Sequence, residues 1–162
     1  MAAIRVGLGF DVHPFRAQAD LGPPLVLAGV VFDGEQGLAG HSDADVVAHA
    51  VADAVLGGAG LGDLGLHFPD SDPEWRGADS IRLLAEVVRL ARQDGWRVVN
   101  IDCSVVLESP RLAPYRVAMQ ERLAAVVGGP VSVKAKRAEG LGALGRGEGI
   151  ACYAVALLEA AG

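Results

Sequence analysis

The sequence predicts an α/β (α+β) two-layer sandwich, in which one mixed β-sheet carries helices on one face, formed by residues 1–162 as a single domain. Segments that alternate with a period of two are interleaved with segments of helical period, which is typical of this class. Apolar residues make up 51% of the chain and are enough to fill a core, although only 5% are aromatic. The 22 glycines cluster in short runs that indicate tight turns.

The first half of the chain predicts a strand, a second strand or hairpin, and a helix. Residues 4–13 alternate in polarity, and residues 25–31 form a short apolar run after turn residues. A helix is expected over residues 42–56, with the Ser or Asp at its start as N-cap and Gly57-Gly58 as its end. Residues 57–77 have no periodicity and predict a long loop, which in a compact domain is usually functional or mobile.

The second half predicts two helices and three strands. Residues 79–94 have one apolar stripe, start with a capping Asp and precede a Gly, so they predict an amphipathic helix. Residues 96–107 alternate as a strand. A helix is expected over residues 114–127, with Pro in its first turn and Gly beyond its end. Residues 131–135 and 150–158 predict the last two strands, although the second is rich in Ala and Leu.

Charge and composition exclude several classes of protein. The net charge is −6 and no basic run occurs, so a nucleic-acid-binding surface is not expected. No apolar stretch reaches the ~18–20 residues of a membrane span, and Asp11 and His13 interrupt the apolar run that a signal peptide would need. Cys103 and Cys152 stand alone in apolar strands, which predicts buried, reduced thiols. We therefore expect a soluble, cytoplasmic protein without nucleic-acid or membrane partners.

Three side chains predict a metal site. Asp11 and His13 are two residues apart on a strand, so they share a face about 6.6 Å apart at Cα, although such a pair more often forms a polar strand end. Asp45, His49 and Asp53 recur every four residues on the first helix, and for the two acids a solvated face is an equal alternative. His49 differs because its neighbours are Ala and Val. Two imidazoles and one carboxylate suit Zn²⁺, with one position left for a substrate oxygen.

Three further segments suit a phosphorylated ligand. Gly40–Asp45, at a helix start, predicts an anion site, or an ordinary N-cap that would leave His41 unexplained. Gly62–Gly65 and Phe68–Pro73 place carboxylates in a Gly-rich loop, where they bind sugar hydroxyls or act as solvated turn residues. Lys134–Glu139 sets three cations beside a carboxylate, which favours phosphate and metal binding or, alternatively, an edge strand protected by Lys.

Together these segments closely resemble the 2-C-methyl-D-erythritol 2,4-cyclodiphosphate synthase family. The matching motifs keep family-like order and spacing over nearly the whole chain: Gly9–Phe15, Gly40–Asp45 with His49, Gly62–Gly65, His67–Pro73, Asn100–Asp102, Glu108–Arg111 and Gly145–Ala151. The resemblance implies a homotrimer with active sites between subunits and sheets packed around the trimer axis. It also implies a lyase of the non-mevalonate pathway that cyclises 4-diphosphocytidyl-2-C-methyl-D-erythritol 2-phosphate and releases CMP.

The resemblance also implies roles for individual residues. Asp11, His13 and His49 would bind Zn²⁺ or another divalent metal, and Glu139 would bind Mg²⁺ or Mn²⁺ together with the substrate diphosphate. His41 and Arg137 would act in catalysis. The substrate contacts implied are Asp11, Val12, His13, His41, Ser42, Asp63, Leu64, Gly65, Phe68, Pro69, Asp70, Ser71, Asp72, Leu107, Glu108, Ser109, Pro110, Arg111, Leu112, Ala113, Lys136, Arg137, Ala138, Glu139, Ala143 and Arg146.

Four positions depart from the family pattern. Lys136 and Arg137 replace two threonines, the second of which is credited with stabilising the transition state. Arg111 replaces a lysine, and Ala143 replaces an aromatic residue beside the axial cavity that the family links to isoprenoid diphosphates. These departures bear on rate and selectivity more than on reaction class. Two alternatives are a metal-dependent phosphohydrolase and a trimeric sensor of isoprenoid diphosphates without turnover. The intact metal ligands argue against the sensor.

Overall fold

The computed structural model describes residues 3–17, 22–69, 71–75 and 77–162. Its strands are β1 (Ile4–Pro14), β2 (Leu25–Leu27), β3 (Val30–Phe32), β4 (Trp96–Val106), β5 (Val131–Lys136) and β6 (Gly149–Ala160). Its helices are α1 (Val46–Ala59), α2 (Leu64–His67), α3 (Ser80–Gln93), α4 (Arg116–Val127) and α5 (Gly142–Gly145), and Pro73–Trp75 forms a 3₁₀ turn.

The main sheet has four strands in the order β1-β6-β4-β5. The strand β6 pairs antiparallel with β1 and β4, whereas β4 and β5 are parallel, so the sheet is mixed. The helices α1, α3 and α4 enclose the core against one face, and β2 and β3 form a separate hairpin. The predicted two-layer class is confirmed. Among the described residues, no helix is both long and apolar enough to span a bilayer.

The helix α1 differs from the sequence prediction at both ends. It begins at Val46, and its N-cap is Asp45 instead of Ser42 or Asp43. The buried Asp45 carboxylate accepts the N–H groups of Val47 and Ala48, and it also accepts those of Ala28 and Gly29 in the β2–β3 turn at 2.8 and 2.6 Å. These four hydrogen bonds fix the helix start to the hairpin. They also occupy two N–H groups that the sequence suggested for an anion site.

Gly57 and Gly58 do not end α1, which continues to Ala59 and closes with Gly60 in the left-handed conformation at φ 78°. Gly58 instead serves close packing. A Cβ atom added there would lie 2.8 Å from Leu158 Cδ1 and 3.2 Å from the Gly7 nitrogen. The glycine pair that resembles a helix stop is therefore a site where helix and sheet approach closely.

Glycines on β1 bring α1 directly onto the strand. A Cβ atom added at Gly7 or Gly9 would lie 1.8 Å from the carbonyl oxygen of Ala54 or Ala50, respectively. No side chain therefore separates the strand backbone from the helix backbone. This short separation sets Asp11, the next residue on the same face of β1, against His49 of α1.

We expect Gly9→Ala to destabilise the protein by about 3 kcal/mol, because the new methyl group would force α1 away from β1. Gly57→Ala is the matched control. Gly57 lies in α1, the helix that packs on Gly9, and a Cβ atom added at Gly57 would meet nothing closer than 3.9 Å. Because Ala favours the helical conformation over Gly, we expect Gly57→Ala to raise the free energy of unfolding by about 0.5–1 kcal/mol. Urea unfolding of both variants measures the difference. Equal midpoints for Gly9→Ala and the wild type would contradict this account.

The other elements follow the prediction with local departures. The helix α3, with Asp79 as N-cap, is confirmed, as are the three predicted C-terminal strands. The helix α4 begins at Arg116 instead of Pro114, because Tyr115 is held outside it against Phe32, with ring centroids 4.0 Å apart. The loop predicted over residues 57–77 contains α2 and the 3₁₀ turn, and α5 was not predicted. Both cysteines are buried free thiols, as expected.

Candidate metal centre and active site

The adjacent ends of β1 and α1 bring together the three predicted metal ligands. Asp11 Oδ2 lies 3.0 Å from His13 Nε2 and 2.9 Å from His49 Nδ1. One donor atom from each residue lies within 4.8 Å of the other two, and no other His, Cys, Asp or Glu in the described part of the chain joins such a group. Two imidazoles and one carboxylate at this spacing form a donor set suited to a divalent ion of the zinc type.

Hydrogen bonds on the far side of the rings fix both histidines. His13 Nδ1 lies 2.9 Å from the carbonyl oxygen of Ala39, and a carbonyl only accepts, so Nδ1 carries a proton. In the neutral ring the Nε2 lone pair then faces Asp11, and in the protonated ring Nε2 donates a hydrogen bond to Asp11. His49 Nε2 lies 3.1 Å from Ser42 Oγ and 2.8 Å from Ser80 Oγ. Such outer hydrogen bonds are the usual means of orienting histidine ligands.

The two histidines also determine the charge state of Asp11. Burial alone would raise the pKa of this carboxyl group, but hydrogen bonds and charge interactions with His13 and His49 outweigh burial and hold the pKa well below its usual range. Asp11 therefore remains ionised at neutral pH. An ionised carboxylate between two imidazoles is the state that a metal cation requires.

A cavity of about 340 Å³ adjoins this cluster. The predicted residues that line it are Asp11, His13, His41, Ser42, His49, Asp63, Leu64, Gly65 and Phe68. Three lining residues were not assigned to the site from sequence: Asp53, Trp75 and Leu83. Trp75 packs edge-on against Phe68, with ring centroids 5.0 Å apart, so part of the cavity wall is apolar.

Asp53 and His41 have polar groups suited to a ligand. Asp53 is half-buried in the cavity wall, and it accepts the Leu64 N–H at 2.7 Å. Burial raises the pKa of Asp53, while the Leu64 N–H lowers it and the nearby Asp63 and Asp11 charges raise it. The Nε2 atom of His41 is buried and has no hydrogen-bond partner among the described residues. Buried polar atoms are normally paired, so His41 is a candidate for contact with a ligand.

The loop after α1 contributes only some of its predicted contacts. Asp63 lines the cavity and caps α2 by accepting the Leu66 N–H at 2.9 Å. Pro69, Ser71 and Asp72 are described but do not line the cavity, and Asp70 lies outside the described residues. The side chain of Val12 is exposed on the opposite face of β1.

A second cavity, of about 240 Å³, gathers the segment predicted to bind cytidine. It is lined by Leu107, Glu108, Pro110, Arg111, Leu112, Ala113, Ala135, Lys136 and Arg137. Ser109 is exposed in the same loop, and Ala138 donates its N–H to Glu108 Oε1 at 3.0 Å. The two cavities share no lining residue within the chain.

Three further predicted residues also lie outside both cavities. Glu139 is exposed just beyond β5, with φ 53°, and does not join the metal cluster of this chain. Ala143 is exposed in α5. Arg146 is exposed and pairs with Glu148 at 2.6 Å.

Residues 4–159 match the family described as the YgbB family. The chain is 52% identical over 162 residues to the 2-C-methyl-D-erythritol 2,4-cyclodiphosphate synthase of Syntrophobacter fumaroxidans, covering 98% of this chain and 99% of the relative. The bifunctional IspDF from Campylobacter jejuni has a TM-score of 0.92 at 40% identity, covering 99% of this chain but only 43% of that protein. A solved 2C-methyl-D-erythritol-2,4-cyclodiphosphate synthase with bound CDP has a TM-score of 0.84 at 36% identity, covering 95% of this chain and 99% of that protein.

Proposed function

Because the chain belongs to the YgbB family, we propose that it converts 4-diphosphocytidyl-2-C-methyl-D-erythritol 2-phosphate to 2-C-methyl-D-erythritol 2,4-cyclodiphosphate with release of CMP. It is a phosphorus–oxygen lyase of isoprenoid precursor biosynthesis. The observation that carries this proposal is the cluster of Asp11, His13 and His49 in a cavity that is also lined by His41, whose buried Nε2 has no hydrogen-bond partner among the described residues. That arrangement combines a cation site with a donor for phosphate oxygens.

The donor set fits a divalent metal, and we assign Zn²⁺ or a similar ion to Asp11, His13 and His49. Each histidine directs one nitrogen to Asp11 and has its other nitrogen hydrogen-bonded elsewhere. When bound, the ion neutralises phosphate charge and polarises a phosphoryl oxygen. We assign Mg²⁺ or Mn²⁺ to Glu139 together with the substrate diphosphate, which supplies most of the oxygens that such an ion prefers.

The substrate contains both the nucleophile and the leaving group. An oxygen of its 2-phosphate forms a bond to the β-phosphorus, and the bond from that phosphorus to the oxygen of the cytidine phosphate breaks, which releases CMP. The protein therefore positions groups and neutralises charge. His41 Nε2 and the Ser42 hydroxyl bind the 2-phosphate, and the Asp63 carboxylate accepts hydrogen bonds from hydroxyl groups in the same cavity.

We further propose that the enzyme is a homotrimer whose sheets surround a threefold axis. The sheet face that carries no helix exposes Ile4, Val6 and Leu8 at 66–68%, and Phe10 and Tyr153 continue this apolar surface. Large apolar surfaces of this kind are characteristic of protein interfaces. The cavity beside the metal cluster (the metal cavity) and the cavity formed by the segment predicted to bind cytidine (the nucleotide cavity) share no residue within one chain. This separation favours an active site that is completed by the neighbouring subunit.

In such a trimer Arg146 would lie near the threefold axis. We propose that an isoprenoid diphosphate binds in the axial cavity there. Arg146 supplies positive charge, although it is paired with Glu148. Ala143 supplies no aromatic contact. The charge therefore supports binding of a diphosphate group more than binding of its hydrocarbon chain.

We place the whole sequence in a single cytoplasmic domain. The first strand pairs along its length with the last, so one sheet joins the two ends of the chain. Both cysteines are free thiols, which suits a reducing compartment.

Arg137→Thr, which restores the family residue, is expected to keep or raise activity. Arg137 is exposed beside the nucleotide cavity and forms no ion pair with a described side chain, so its loss should not disturb the fold. Rates of CMP release by the variant and the wild type give the comparison. A loss of a hundredfold or more, about 2.7 kcal/mol in barrier, would mean that the guanidinium is an essential part of this site.

The experiment that tests the function is ³¹P NMR of the purified protein with the cytidine substrate, Zn²⁺ and Mg²⁺. We expect the signals of the cyclic diphosphate and CMP to grow together. A linear monophosphate product would instead indicate a phosphohydrolase. Unchanged substrate in a protein with confirmed bound metal would indicate a binding protein without turnover.

A further inference from the structure

A buried serine connects His49 to a carboxylate behind the metal cluster. His49 directs Nδ1 to Asp11 Oδ2 at 2.9 Å, and its Nε2 lies 2.8 Å from the Oγ of Ser80. Ser80 is the first residue of α3 and is only 1% exposed. Its hydroxyl is also hydrogen-bonded to Asp43 Oδ1. Asp11 thus holds one nitrogen of the His49 ring, and Ser80, backed by Asp43, holds the other.

The chemistry of these groups fixes the direction of each hydrogen bond. An ionised carboxylate only accepts, so the Ser80 hydroxyl donates its proton to Asp43. The Ser80 oxygen then accepts, and the donor is the N–H at Nε2 of His49. A neutral imidazole carries a single ring proton, so Nδ1 is left with its lone pair directed at Asp11. Two acceptors at this distance repel each other unless a proton or a metal cation lies between them.

The Asp43 carboxylate is itself held by the backbone. Its Oδ2 accepts the Ser80 N–H at 3.0 Å, and its Oδ1 accepts the Asp45 N–H at 3.1 Å. Asp43 therefore satisfies the first N–H of α3, while Asp79 accepts the next two. These contacts leave the carboxylate little freedom to rotate away from the hydroxyl.

Ser42 gives the His49 ring a second contact of a different kind. Its Oγ lies 3.1 Å from Nε2 and lines the cavity, where the proposed function requires it to bind phosphate. If the Ser42 hydroxyl turns to the ligand, Ser80 alone continues to hold the ring. The buried serine and its carboxylate are thus the partners of His49 that do not depend on substrate.

We propose that Ser80 and Asp43 are positioning residues for the metal site, which fix the ring orientation and the tautomer of His49 so that Nδ1 is presented to the ion. This inference rests on the proposed metal site at Asp11, His13 and His49. Outer hydrogen-bond partners of this type typically contribute 10–100-fold in metal affinity. We therefore expect Ser80→Ala to bind Zn²⁺ about 10–100-fold more weakly than the wild type.

The test measures Zn²⁺ affinity by competition with a chromophoric chelator, and the visible absorption spectrum of the Co²⁺-substituted protein. Ser80→Ala should lose affinity and change the Co²⁺ bands. Asp79→Ala is the matched control, since it removes a cap from the same helix start without touching His49, and it should bind both metals like the wild type. Asp43→Asn keeps the side-chain volume and should show a smaller, several-fold loss, which provides a second probe if Ser80→Ala folds poorly.

The outcomes separate this inference from the proposed function. Wild-type affinity and an unchanged Co²⁺ spectrum in Ser80→Ala or Asp43→Asn would overturn the positioning role. An equal loss in Asp79→Ala would also overturn it, because the effect would then come from the stability of the helix start. Equal Zn²⁺ affinity of His49→Ala and the wild type would instead show that the metal site itself is misplaced.

Discussion

His49→Ala is expected to abolish Zn²⁺ binding and to lower the rate of CMP release by at least a thousandfold, about 4 kcal/mol in barrier. The substitution removes one of three donor atoms that lie within 4.8 Å of one another. Asp11 and His13 alone would form a weak, incomplete site. The ionised Asp11 would also lose one of the two partners that lower its pKa.

Metal analysis after gel filtration, together with circular dichroism, provides the measurement. His49 is partly exposed to the cavity, so its removal should leave the fold and the assembly unchanged. Asp53→Asn is the matched control, because it alters another polar group of the same cavity and keeps an oxygen to accept the Leu64 N–H. We expect this variant to bind Zn²⁺ fully. Full Zn²⁺ occupancy of His49→Ala would refute the assignment.

The metal cluster was predictable from the sequence because two of its ligands share one face of a strand and the third interrupts an apolar helix. The period of two places Asp11 and His13 on one face of a strand. His49 shares a four-residue spacing with Asp45 and Asp53, but it stands out because its immediate neighbours are Ala and Val. Only the contact between strand and helix had to be assumed, and the glycines of β1 make that contact close.

The residues that support the histidine ligands and those that form the apolar part of the cavity wall could not be predicted in the same way. Ser42 and Asp43 resemble N-caps of α1, but Asp45 has that role and Asp43 binds the start of α3 instead. That contact joins segments 37 residues apart in sequence, so no local sequence pattern predicts it. Trp75 and Leu83 line the cavity with apolar surface, which sequence does not distinguish from ordinary core.

The polarity pattern of β1 also did not predict which face of the strand packs against the helices. One face of the strand carries the apolar residues from Ile4 to Val12, and the other carries Gly7, Gly9 and Asp11. Apolar strand faces usually meet the core, yet α1 covers the glycine face, where the absence of side chains allows the helix backbone to approach the strand directly. The apolar face is thereby left exposed in the single chain.

Because this apolar face is exposed in the single chain, we expect Leu8→Glu to convert the proposed trimer to monomers and to reduce activity more than a hundredfold. Leu8 is 67% exposed at the centre of the apolar face, opposite Val155 of β6. A carboxylate there would be buried without a partner in the assembly, a severe cost. In the monomer it would face water, so the fold should persist. Activity should fall with assembly, because the nucleotide cavity of one subunit would no longer meet the metal cluster of the next.

Val117→Glu provides the matched control for this prediction. Val117 is 61% exposed and apolar, but it lies on α4, away from the helix-free face of the sheet. We expect this variant to remain trimeric and active, which would attribute the effect of Leu8→Glu to its place on the sheet and not to the added charge. The mass of each variant follows from gel filtration with light scattering, and the fold from circular dichroism. A trimeric, fully active Leu8→Glu would show that the subunits meet elsewhere, and the exposed face of β1 and β6 would then need a different partner.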